Sequence, residues 1–195
     1  MAVPALGTGM VNLAESADVL AITTDGSSFP PVGIDGGLNG TGTSYSANLL
    51  AGQQTWNGAN FYFGPADIPD AVSGKTVSLP SGQYSTIRLL ATAVNGSQAS
   101  QTFTVTYTDG TTSSFVQSLS DWFSPRSFAG ESKVLSTAYR NTSNGVKDSR
   151  MFWLYGYSFN LNPGKRVSAI TMPKNRNVVV LAVTLAGSAA SNTYR

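Results

Sequence analysis

Neither cysteine nor histidine occurs among the 195 residues. Without cysteine no disulfide staples the fold, and no thiolate is available as nucleophile or metal ligand. Without histidine there is no Ser-His-Asp or Cys-His constellation and no imidazole for a catalytic zinc or copper centre. Any acid–base chemistry falls to the carboxylates, lysines and tyrosines. Charge is scarce as well: charged residues make up 11% of the chain, against roughly a quarter in average soluble proteins. Polarity comes instead from Ser, Thr, Asn, Gln and Gly. Such surfaces are common on secreted β domains that meet neutral polymers, and they also simply suit exposed strands. No apolar run approaches the ~18 residues of a membrane span, and the first twenty residues lack the basic and apolar regions of a secretory signal. Like charges never form a block of five or six, so neither a nucleic acid nor a membrane is expected as a partner.

The net charge of +2 hides an asymmetry. Up to position 125 there are two basic residues, Lys75 and Arg88, against eight acidic ones; beyond it there are ten basic residues against two acidic ones, Glu131 and Asp148. In a sandwich the two halves interleave, so this asymmetry need not create a basic face.

What is present is alternation. Gln101 to Phe123 contains two alternating segments joined at Asp109-Gly110, a dipeptide that favours a two-residue type I′ hairpin turn. Phe103, Val105 and Tyr107 share one face and the threonines between them the other. Trp56 to Phe63 predicts a second hairpin turning at Asn57-Gly58, and Ser44 to Leu50 a strand or one helical turn. Short strands are expected at Val19–Thr24, at Lys75–Leu79 (ended by Pro80), and at Lys133–Arg140, where Val134 and Leu135 compete for the core. Further strands are expected at Ser149–Leu161, Val167–Met172 and Asn177–Leu185. Thr86–Val94 is nearly continuous in apolar residues, as a strand covered on both faces is. About ten short strands without an amphipathic helix predict an all-β fold, an antiparallel two-sheet β-sandwich or jelly roll. Residues 1–18 are read as a leader or linker whose end, Val11 to Leu13, adds a strand. Residues 19–187 form the domain and 188–195 a polar tail.

Three groups of residues carry candidate chemistry. Aromatic rings with a polar handle stack on the C–H faces of sugars. Trp122 closes the long hairpin, and alternation along Met151–Tyr157 places Trp153, Tyr155 and Tyr157 on the face opposite Phe152 and Leu154. These four rings form either an exposed platform or part of a core. Asp121, Glu131, Arg126 and Arg140 stand near them in sequence and are suited to hydrogen-bonding sugar hydroxyls. Asp121 with Glu131 is also the one carboxylate pair suited to a glycosidase-like mechanism. Asp25 and Asp35, in the Gly- and Pro-rich loop from Asp25 to Thr43, are hard oxygen ligands of the type calcium takes. Asp is equally an ordinary turn residue.

Several segments recur in one order: Asp35-Gly-Gly then Ser44-Tyr-Ser-Ala, Phe63-Gly-Pro-Ala, Leu90-Ala-Thr-Ala-Val-Asn-Gly, Val105-Thr-Tyr-Thr-Asp-Gly-Thr, Ser120-Asp-Trp, Gly130-Glu, Tyr139-Arg-Asn, Leu154-Tyr-Gly-Tyr and Ile170-Thr-Met-Pro. Through them residues 19 to 186 resemble a family of bacterial accessory domains found beside glycoside hydrolases and other secreted enzymes. The resemblance implies a β-sandwich similar to carbohydrate-binding modules and carries no catalytic residues. The expectation is therefore a secreted, non-catalytic module that binds a polysaccharide or oligosaccharide and is joined to a catalytic or surface domain. No cofactor is required; a structural calcium ion at Asp25 and Asp35 is the one candidate, with ordinary turns as the alternative reading of those residues. The alternatives are a structural spacer or adhesion domain, in which the aromatics are buried, and a His-free glycosidase or lyase that works through carboxylates.

Overall fold

The computed structural model describes residues 9–37 and 40–188, with only the backbone at Ser188. Leu38 and Asn39 of the long loop, the start of the leader and the end of the tail lie outside the described residues. The fold is all-β. In chain order it comprises β1 (Ile22–Thr23), β2 (Thr43–Ser46), one helical turn α1 (Ala47–Leu50), β3 (Gln53–Trp56), β4 (Ala59–Tyr62), β5 (Thr76–Ala93), β6 (Gln98–Tyr107), β7 (Thr112–Leu119), β8 (Glu131–Thr137), β9 (Arg140–Thr142), β10 (Lys147–Asp148), β11 (Phe152–Asn160), β12 (Arg166–Thr171) and β13 (Val178–Ser188). Ser44 to Leu50 is thus both strand and helical turn, because the Ser46 hydroxyl caps α1 by accepting from the Leu49 amide.

β5 organises the molecule. Its first half pairs with β12, which pairs with β6 and so with β7; its second half lies between β11 and β13, and β11 pairs onward with β8. The separate strands expected on either side of Pro80 are one 18-residue strand. Between the pairs Ser78–Ala169 and Gly82–Val167 the register shifts. Pro80 falls in that irregular stretch, where its missing N–H breaks no regular ladder, and the chain continues from one sheet into the other.

The sheet β13-β5-β11-β8 is covered on both sides. Ile87, Leu89, Ala91, Tyr155, Tyr157 and Phe159 face Phe103, Val105, Tyr107, Val167 and Ile170 of the β7-β6-β12 side in a first core. Leu90, Phe152, Leu154, Val179 and Leu181 face a second core. Above this second core lie the small sheet β1-β2-β9-β10, the β3–β4 hairpin and their loops, which contribute Ile22, Ile34, Tyr45, Phe61, Phe63 and Trp122. The apolar runs of β5 and β13 follow from this double burial. Val134 and Leu135 do not compete: both pack against the second core, because the β8–β11 register shifts at Leu154/Tyr155 and brings two successive side chains to one face. Val11 and Leu13 are buried in the first core, and the Val11 amide bonds to the Val183 carbonyl, so this end of the leader packs along β13.

The two hairpins turn differently. At Asn57-Gly58 both residues have positive φ, as a type I′ turn requires. At Asp109-Gly110 only Gly110 does. Its amide returns to the Tyr107 carbonyl, while the Tyr107 amide bonds to the Thr111 carbonyl. This loop of Thr108, Asp109 and Gly110 ends on a left-handed glycine, where the sequence predicted a two-residue turn. The difference follows from Asp109, whose carboxylate accepts from the Thr111 amide at 3.0 Å and hydroxyl at 2.6 Å, which holds Asp109 out of the left-handed region.

Gly156 on β11 has no room for a side chain: a Cβ there would lie 2.7 Å from Cε2 of Trp56. Gly156→Ala is expected to lift the β3–β4 hairpin and cost about 1–3 kcal/mol, as read from denaturant melts. A cost below 0.5 kcal/mol would show that Trp56 does not rest there.

Candidate functional site

Four connections end at one rim of the second core. β7 leaves its own sheet at Ser120 and runs briefly parallel to the end of β5: the Ala93 amide bonds to the Ser120 carbonyl at 3.0 Å and the Trp122 amide to the Ala93 carbonyl at 2.9 Å. Asp121 fixes this crossing. Its Oδ2 accepts from the Gly96 amide at 2.8 Å, and its Oδ1 from the Phe123 amide at 2.9 Å and the Ser124 amide at 3.3 Å. Trp122 is thereby turned inward, edge-on to Tyr45 with centroids 5.1 Å apart and against Phe152 at 4.7 Å.

The guanidinium of Arg140 on β9 lies over Trp122 at 5.1 Å and over Phe152 at 4.8 Å. That of Arg150, just before β11, lies over Phe123 at 4.7 Å. Asp148 between them accepts from Arg140 Nε at 2.9 Å and Arg150 Nε at 2.8 Å. The Arg150 hydrogen bond, ahead of the Arg140 one, holds the Asp148 carboxyl below its usual range against the opposing effect of burial. Arg140, Arg150, Trp122, Phe123 and Phe152, with Asp35, Asn95 and Asp121, line a cleft of about 210 Å³. It offers guanidinium donors, carboxylate acceptors and the Asn95 side-chain oxygen, whose Nδ2 is already committed to the Asp35 carbonyl and Asn177, with aromatic rings at its base. Two guanidinia stand against two carboxylates, those of Asp35 and Asp121, so the cleft is close to neutral.

Of the residues expected to bind, Asp121, Trp122 and Arg140 meet here, but Trp122 is the buried base and not an open ring. The exposed platform is not formed. Tyr155 is 0% and Tyr157 1% exposed. Alternation placed Trp153, Tyr155 and Tyr157 on one side of β11, as the sequence predicts, but that side faces the first core. The Tyr155 hydroxyl donates to the Asp121 carbonyl at 2.9 Å, and the Tyr157 hydroxyl to Glu131 Oε2 at 2.7 Å. Burial raises both phenols far above their ordinary range, with the negative charge of Glu131 adding to the effect. Trp153 is half-buried against the same core, with the Lys133 ammonium 4.5 Å above its ring. Glu131 is a staple: it accepts from the Ser120 amide at 2.8 Å and the Ser120 hydroxyl at 2.6 Å. Its carboxylate and that of Asp121 both accept hydrogen bonds from their own chain. Arg126 is exposed, and its backbone amide donates to the Ser120 hydroxyl.

Asp25 and Asp35 do not converge as cation ligands. Asp25 accepts from Ser46 Oγ at 2.5 Å, Asn48 and Asn141 Nδ2 at 3.2 Å each, the Tyr139 hydroxyl, and the Lys147 ammonium at 3.0 Å. Burial alone would raise its pKa, but these donors outweigh burial and hold it well below the carboxylate range. A ring of N–H and O–H groups repels a cation. Asp35 likewise accepts from the Gly37 amide and from the Thr43 amide and hydroxyl. Among the described residues no group of three or more acidic side chains is arranged to hold a metal, and no helix is long and apolar enough to cross a membrane.

The sequence reading missed Phe123, Arg150 and Phe152 as neighbours of Trp122, and Asn95 at the mouth. One signal was available: Asp148-Ser-Arg150 places a basic residue two positions from an acidic one just before the aromatic strand.

A search of curated proteins finds no match to the chain. Residues 15–189 match the family model of the AziU2-like beta-sandwich domain, in agreement with the double-faced antiparallel sheets described above. The chain therefore belongs to the family of AziU2-like beta-sandwich domains.

Proposed function

We propose that this domain is a non-catalytic, secreted carbohydrate-binding module that takes one neutral sugar unit of a polysaccharide into the Arg140–Arg150 cleft. The observation that carries the reading is the mixture of near-balanced donors and acceptors over aromatic rings, which matches a polyhydroxylated ring with apolar C–H faces. The low charge of the whole chain points the same way. Arg150 reaches the ligand from the rim, Asn95 and the Arg140 guanidinium complete its hydrogen bonds, and Phe123, which is 44% exposed, supplies the apolar edge.

Glycan arrays and pull-downs on insoluble polysaccharides test this. Arg150→Ala is expected to weaken binding about tenfold, or about 1.4 kcal/mol, while the melting temperature changes little, because this side chain is half-exposed. Retention on no neutral polymer would overturn the reading. The burial of Tyr155, Tyr157 and Trp122 favours a second reading, a structural spacer, which predicts that outcome.

A further inference from the structure

A second feature lies outside the cleft, on the lower part of the central sheet. Ser158 pairs with Arg88 and Gly156 with Leu90 across β11 and β5. Ile87, Leu89, Tyr157 and Phe159 all point into the first core, so Arg88, Gly156 and Ser158 point to the opposite face. On that face Trp56 lies against the Cα of Gly156. The Thr184 hydroxyl, from the residue opposite Arg88 on β13, donates to the Asn60 carbonyl at 2.6 Å and fastens the hairpin down. Beyond Trp56 the face opens: Ser132, the partner of Gly156 on β8, is exposed, as are Ser158 and Asn160 on β11. Arg88 stands diagonally across the β5–β11 pair from Gly156, about 7–8 Å away, on the face of the sheet that Trp56 covers.

Arg88 differs from the cations that are held in ion pairs. Lys75, Arg140, Lys147, Arg150 and Lys165 each have a carboxylate. Among the described residues Arg88 has none, and its Nε is buried without a hydrogen-bond partner. Nε is closed off from the surface, but the Nη groups of this half-buried side chain make no hydrogen bond among the described residues, so the outer edge of the guanidinium can take an incoming acceptor. Its planar fork is matched to a carboxylate, which it binds through two parallel hydrogen bonds.

From this arrangement we infer that Arg88 and Trp56 form a binding site for a carboxylate-bearing sugar, a uronate unit, distinct from the cleft. Arg88 takes the carboxylate, the half-exposed indole of Trp56 takes the C–H face of the ring, and the free hydroxyls of Ser158 and Ser132 take sugar hydroxyls. The site rests on Arg88 and the β3–β4 hairpin and does not depend on how the cleft is used.

Affinity electrophoresis in gels containing polygalacturonate, with galactan as the neutral comparison, tests it. The expected result is retardation by polygalacturonate that weakens at least tenfold in Arg88→Gln and in Trp56→Ala. Arg88→Lys should retain part of it, and Lys174→Gln, which removes an exposed charge elsewhere, all of it. Thermal melts run alongside identify variants that are folded; if Arg88→Gln does not fold, Arg88→Lys compared with wild type at rising salt gives the reading, through a weaker and steeper salt dependence. Wild type unretarded by polygalacturonate, retardation by dextran sulfate alone, or folded Arg88→Gln retarded like wild type would each overturn the inference.

Discussion

Trp122→Ala is expected to lower stability by about 3–5 kcal/mol, the usual cost of truncating a buried large aromatic. Trp122 is 3% exposed. Its ring fills the second core between Tyr45 and Phe152 and also supports the Arg140 guanidinium. Removing it leaves a cavity and takes away the base of the cleft at once, so binding falls with the fold. Urea denaturation measures the first effect, and sugar titration of the folded fraction the second. A folded Trp122→Ala protein that loses less than about 1 kcal/mol, yet all binding, would make Trp122 a ligand-stacking residue and contradict its placement.

Asp25→Ala is expected to cost about 3 kcal/mol, since it strands donors that have no water to turn to. Ser46 is 0% and Asn141 2% exposed, and both donate to this carboxylate. The cost depends on pH with a definite sign. The folded-state pKa of Asp25 is below its ordinary 3.8, so its contribution is present above that value and is lost as pH falls through the lower folded value. The gap between wild type and Asp25→Ala should therefore narrow below about pH 4. Asp148, held low chiefly by Arg150, adds to the same acid limb.

Asp70 works in the other direction. Burial pushes it up to about 8 even though it accepts from the Ala21 and Ile22 amides at 2.9 Å each. Its contribution is complete below the ordinary value of 3.8 and is lost as pH rises toward 8. From these groups stability should thus be greatest near pH 4 and decline as pH rises toward 8, as denaturant midpoints at several pH values would show. A gap for Asp25→Ala that is constant from pH 7 to pH 2 would mean that its carboxylate is not the acceptor at the centre of this network.

Particular residues show how far the sequence reaches. Alternation assigned Phe103, Val105 and Tyr107 to one face and separated Trp153, Tyr155 and Tyr157 from Phe152 and Leu154, because the side-chain period of a strand is a local property of the backbone. The unbroken apolar run at Thr86–Val94 announced a strand covered on both sides for the same reason. Pro80 misled: a missing amide reads locally as a stop, yet a register shift against β12 lets β5 pass. The loop at Asp109-Gly110 differed because the Asp109 side chain selects the turn, a competition that the dipeptide alone does not display.

The candidate sites were less legible than the fold. Arg140, Arg150 and Asp148 lie within eleven residues of one another, yet Trp122, Phe123 and Asn95 join them only through the crossing of β7 beside β5. Arg88 and Trp56 are 32 positions apart and come to one face of the central sheet because a hairpin folds over a glycine. The sequence by itself determined the strands, their two-sidedness and the absence of thiol and imidazole chemistry, all of which are set by residue type and local spacing. Only the tertiary structure decided which faces water reaches. Covering a face is the work of distant segments, and here it turned a row of aromatics into core and left Arg88 without a carboxylate among the described residues.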